Sequence, residues 1–137
     1  MIVLYASSNA VLLNKYQSDS VMTASPVDLI IMLYEALIKQ VKLGDIFMEQ
    51  GDFEQVNQHL SKAQDIISEL LNSLDLRYPL STDLMRLYDF MLQELTEINL
   101  HKDRERVPAL LEIIGSLRSA WVDIRSAGEV RAYAIEE

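Results

Sequence analysis

The chain has 137 residues, with 12 Lys and Arg against 21 Asp and Glu, no Cys, and half of its residues hydrophobic. That length makes one compact domain, and the missing Cys excludes a disulfide framework, thiol catalysis and a thiolate zinc site. A net charge of −9 without a sustained basic stretch argues against nucleic acid and against anionic membrane surfaces, both of which need clustered cations.

Only 4 Gly and 3 Pro are present, so turn chemistry is scarce and a few long elements are expected. Residues 1–25 come first and read as an N-terminal docking segment. They carry no Lys or Arg before Lys15, so a secretory signal lacks its charged start. They are also not a polar tail: Ile2, Val3, Leu4, Tyr5, Val11, Leu12, Leu13, Tyr16, Val21 and Met22 are costly to leave wet and should dock on the domain or on a second subunit. No uncharged apolar run reaches the roughly 20 residues that span a bilayer, so membrane insertion is not expected.

A bundle is expected over residues 26–127. Ser25-Pro26-Val27-Asp28 reads as a capping box with proline at the first helical position, opening a helix from about Pro26 to about Gln50. Gly51-Asp52 closes it, and Asp52 with Gln55 opens a second helix. Phe53, Val56, Leu60, Ala63, Ile67, Leu70 and Leu74 recur there at steps of three and four, until Tyr78-Pro79 ends the pattern. A third helix from about Thr82 carries Leu84, Tyr88, Met91, Leu95 and Ile98. The polar stretch His101 to Arg106 is the next turn; its three cations interleave with Asp103 and Glu105 as a solvated loop. The fourth helix, starting at Asp103 or Val107, carries Val107, Leu110, Ile114, Leu117, Trp121 and Ile124, with Gly128 as the expected stop and a tail over 128–137. Strand alternation is missing. The fold class that follows is all-α, an antiparallel up-down-up-down four-helix bundle with an N-terminal segment docked on it.

The first helix is broader in its apolar character than the others. Ile30, Leu33, Leu37, Val41 and Met48 form one stripe, while Ile31 and Ile38 lie to one side and Met32, Ala36 and Leu43 to the other. Such flanks either pack against two neighbours or form a surface groove for a partner's amphipathic helix. Ile31 and Ile38 are candidate groove residues on this geometry.

Chemistry motifs are thin. His59 and His101 are not in Glu-x-x-His pairs, a haem or zinc site lacks a second ligand, and no Gly-rich phosphate loop exists, so no cofactor or metal and no enzymatic activity are expected. His59, followed by Lys62 one turn later, resembles the phosphoacceptor of histidine-phosphotransfer bundles. Ala63 stands where those proteins usually have Gly. Phosphotransfer through His59 is the alternative reading.

The stretch Tyr16-Gln17-Ser18-Asp19-Ser20-Val21-Met22-Thr23-Ala24-Ser25-Pro26, continuing through Leu29 to Glu35, resembles the opening of the FliS family of bacterial flagellin export chaperones. Leu60 to Ile67, Leu87-Tyr88-Asp89-Phe90-Met91 and Leu117-Arg118 with Trp121 agree in order and spacing. The resemblance implies a cytosolic, non-enzymatic type III secretion chaperone. Its client is the C-terminal segment of flagellin, disordered in the monomer, which the family holds in hydrophobic grooves so that subunits neither polymerise early nor lose export competence. It further implies delivery of the complex to the flagellar export gate, and it carries Tyr16, Val21, Met22, Thr23, Ala24 and Pro26 over as a binding-linked N-terminal motif. Regulatory partners and self-association stay open.

Overall fold

The computed structural model describes residues 25–136, with side chains described as far as Gly128. Among these residues there are four long helices and no strand: α1 (Pro26–Gln50), α2 (Phe53–Asn72), α3 (Pro79–His101) and α4 (Val107–Glu136), with a 3₁₀ turn over Arg104–Arg106 before α4. The chain is an all-α four-helix bundle. The expected N-terminal docking segment, except Ser25, lies outside the described residues.

Local chemistry sets the helix ends. At α1 the Ser25 hydroxyl accepts the Asp28 amide at 3.2 Å while the Asp28 carboxylate accepts the Ser25 amide at 3.4 Å, and Pro26 occupies a position whose N–H would have no partner anyway. Gly51 ends α1 at φ 73°, a left-handed conformation in which a side chain would be strained. Asp52 accepts the Gln55 amide at 3.3 Å and opens α2.

Three boundaries differ from the sequence expectation. α2 stops at Asn72, before Pro79, because the buried Ser73 hydroxyl turns back to the Leu70 carbonyl at 2.7 Å and leaves Leu74 buried outside the helix. Pro79 is the first residue of α3, where a missing N–H costs nothing, so the helix begins there and not near Thr82. Gly128 does not end α4, which runs to Glu136. A glycine lowers helix propensity by only about 1 kcal/mol, and Glu129, Arg131, Ala132 and Ala134 after it favour helix. Asp103 caps the 3₁₀ turn through the Glu105 amide at 3.2 Å, and the α-helix proper starts at Val107.

Packing places α1 centrally. It contacts α2 on one side and α4 on the other, α2 also packs on α3, and of the four neighbouring pairs α3 and α4 touch least. Contacts across two of these seams run in opposite senses along the chain. Asp28 meets Arg125 at 2.9 Å and Glu35 meets Arg118 at 3.2 Å across α1 and α4, and Lys102 reaches Asn57 while Gln64 reaches Thr96 across α3 and α2. The Asp28 carboxyl is held below its usual pKa by Arg125 and then by Ser25.

The core follows the predicted stripes with few exceptions. Val56, Leu60, Ala63, Ile67, Leu70, Tyr88, Met91, Leu95, Ile98 and Ile114 are fully buried. Phe53 is instead 51% exposed at the start of α2, with the Lys102 ammonium 5.8 Å from its ring centroid, and Ile124 is 41% exposed on α4. The breadth of α1 is explained by its two neighbours: Ile31 is 2% exposed inside the core, and Ala36 and Ile38 pack half-buried against it.

Candidate binding groove

The sparse meeting of α3 and α4 leaves an open seam. A cleft of about 400 Å³ lies there, lined by Leu87 from α3 and by Ala109, Glu112, Ile113, Ser116 and Leu117 from α4. A second depression of about 450 Å³ lies beside Phe90, Leu92 and Thr96 of α3, rimmed by Glu94 and Glu97. Leu87, Leu92, Ile113 and Leu117 are half-buried, each packing one flank on the core and turning the other outward.

The sequence accounts for this surface through doubled apolar positions. In α4, Leu110-Leu111 and Ile113-Ile114 each place one side chain inward and the next about 100° to the side, and Leu87-Tyr88 and Met91-Leu92 do the same in α3. The inner members fill the core; the outer ones need a helix that these described residues do not supply. Further large apolar side chains lie open elsewhere: Leu100 is 70% exposed and Phe90 44% on α3, and Leu76, Tyr78 and Leu80 are about half exposed or more in and after the α2–α3 connection.

Charge on the rims is mixed and mostly acidic. Glu94 faces Arg106 at 3.7 Å and Glu97 faces His101 at 3.2 Å, with Glu112 exposed on α4. Among the described residues no three His, Cys, Asp or Glu gather as a metal site, and no described helix is long and apolar enough to cross a membrane. The arrangement can hold an apolar, helix-forming segment; it offers no nucleophile and base set against each other.

Of the sequence candidates, Tyr16, Val21, Met22, Thr23 and Ala24 lie outside the described residues. Pro26 is exposed at the start of α1, Ile31 is in the core, and Ile38 is half-buried, so the structure does not bring these three to the α3–α4 cleft. Leu87, Ile113 and Leu117 were not singled out as groove residues, although the doubled apolar pairs carry the signal.

His59 is a packing residue between α1 and α2. Its Nδ1 lies 2.7 Å from the Gln40 Oε1, and its ring stacks on Phe47 with centroids 5.3 Å apart and planes within 4°. Burial, then the charges of Lys62 and Lys39, hold its pKa below the usual value. A ring wedged in this way does not support the phosphotransfer alternative.

Residues 8–128 match the family model described as flagellar protein FliS. The chain is 35% identical over 106 residues to the flagellar secretion chaperone FliS of Bacillus subtilis, covering 77% of this chain and 80% of that one. It is 33% identical over 109 residues to the chaperone of the same name from Salmonella typhimurium, covering 77% and 81%, and 33% identical over 113 residues to that from Vibrio cholerae, covering 80% and 83%. These relatives are named as chaperones, a role that is not enzymatic. The family match begins before Tyr16 and so includes the whole N-terminal motif.

Proposed function

Since the chain belongs to the flagellar protein FliS family, we propose that it is a cytosolic secretion chaperone that holds the C-terminal segment of flagellin in surface grooves, blocks premature polymerisation and delivers the client to the export gate. The observation that carries this reading is the open α3–α4 seam, where half-buried Leu87, Ile113 and Leu117 await an apolar partner. An amphipathic helix presenting side chains at i, i+3, i+4 and i+7 suits such a seam.

Magnitudes say how far the client must reach. Three apolar anchors buried at about 1.5 to 3 kcal/mol each are offset by about 2 to 5 kcal/mol for ordering a disordered segment. Micromolar affinity needs about 8 kcal/mol net, so the seam alone falls short. The client must cover more surface, and exposed Phe90 and Leu100 on α3 are the nearest supply along the same helix.

Titrating the full chain with a synthetic peptide of the flagellin C-terminal segment should give a one-to-one complex with added helical signal by circular dichroism. Absence of binding at micromolar concentrations overturns the reading. Residues 1–15 compete with the client for the groove in this proposal, which limits the competent fraction and keeps release reversible. Their deletion should tighten peptide binding, and unchanged or weaker binding refutes the competition.

A further inference from the structure

The helices that border the groove scarcely touch, yet α4 packs on α1 and a buried hydrogen bond ties α3 to that same helix behind the groove. The Tyr34 hydroxyl on α1 shares a hydrogen bond with that of Tyr88 on α3, and Trp121 of α4 is buried in the same core. Tyr34 and Tyr88 are fully buried and Trp121 is 5% exposed, with the two phenol rings 6.5 Å apart and tilted by 47°. Tyr88 directly follows the groove residue Leu87, and Trp121 lies one turn beyond Leu117.

We propose that the Tyr34–Tyr88 hydrogen bond, which fixes α3 to the helix on which α4 packs, is the spacer that sets the separation of α3 and α4 and hence the width of the binding groove. As positioning residues the two tyrosines decide which side chains of a client helix fit; the identity of that client rests on the flagellin reading above. Phe at both tyrosines would fill nearly the same volume, so the polar atoms are surplus to burial and need another reason. Apolar contact is non-directional and lets helices slide, whereas a hydrogen bond confines its partners to a narrow distance and angle. Leaving a buried hydroxyl unpaired is penalised, so the link is enforced. Helix separation in turn depends on the side chains at the contact, so a shift in spacing changes the seam residue accepted.

The test reads the spacing first. With no Cys in the chain, Gln93→Cys and Ser116→Cys place spin labels on exposed positions of α3 and α4. Tyr34→Phe and Tyr88→Phe should shift or broaden the label distance distribution while helical content stays constant, and the double variant, which leaves neither hydroxyl unpaired, serves if either single variant fails to fold. The flagellin C-terminal peptide and a copy with one seam Leu replaced by Trp are then compared. The parent should prefer the Leu peptide, and each variant should narrow that preference by about three- to tenfold. A smaller folded fraction lowers both affinities alike and leaves the ratio untouched. Unaltered distances in all variants overturn the spacer, as do altered distances with an unaltered ratio. A parent that binds neither peptide refutes the flagellin reading instead, and the distances alone then decide the spacer.

Discussion

Asp75 is a buried carboxylate in the α2–α3 connection, clamped by the exposed Arg77: Nε approaches Oδ1 at 2.9 Å and Oδ2 at 3.1 Å, and the Arg77 amide donates to Oδ1 at 3.1 Å. Hydrogen bonding to the Arg77 side chain, then to its backbone, lowers the pKa to about 2. The unfolded chain binds this proton more readily, so the contribution is present above about pH 3.9 and is lost as pH falls towards the folded value. Thermal melts between pH 5 and pH 2, as working limits of about that span, should show a falling midpoint that Asp75→Asn flattens. His59 has the opposite chemistry and the same sign of pH dependence. Its folded pKa lies below the ordinary value, so the unfolded state takes the proton first and stability declines as pH drops below about 6.5. An NMR titration of the His59 ring should place its midpoint below that value. Local chemistry of this kind is only partly legible in sequence: the Ser25–Asp28 box is a matter of three-residue spacing, whereas the Gln40–His59 bond joins two helices and depends on how they pack.

Between elements, two glycines inside helices have opposite consequences. Gly44 of α1 faces Leu60 of α2 so closely that an added Cβ would lie 2.7 Å from Leu60 Cδ2, and Leu60 has no exposed room to retreat into. Gly115 of α4 has nothing within 4 Å of the same atom. Alanine at Gly115 should therefore stabilise by about 0.5 to 1 kcal/mol through backbone entropy alone. Alanine at Gly44 gains the same propensity but forces overpacking that costs about 1 to 3 kcal/mol, leaving net destabilisation. Chemical denaturation of both variants separates the two outcomes. The sequence shows two helical glycines and nothing that distinguishes them, because the difference lies in a contact between helices 16 residues apart along the chain at Gly44 and Leu60. The unbroken α4 has the same lesson in reverse: Gly128 resembles Gly51 in isolation, but only Gly51 adopts a positive φ among the described glycines.

For the whole molecule, the order of packing is α3, α2, α1, α4, with the last seam left open. Replacing half-buried Ile113 by Lys puts a charge on the groove wall without emptying the core. Peptide titration should show more than about tenfold weaker binding, while the thermal stability changes little because the site already meets solvent on one side. Equal affinity in that variant would place the client elsewhere on the surface.

Sequence alone determined the all-α class, the capped start of α1 and most core residues, since these depend on caps within one turn and on apolar spacing of three and four. It also determined the family resemblance, through Tyr16 to Pro26 and the later blocks, and the family match bears this out. Tertiary structure decided where the surplus apolar surface lies. The Ile31 and Ile38 flank of α1 is consumed because that helix has two close neighbours, while Ile46 stays exposed and the doubled positions of α3 and α4 stay open because those helices barely meet. Periodicity reports how much of a helix is apolar, and only packing decides which of that area remains uncovered.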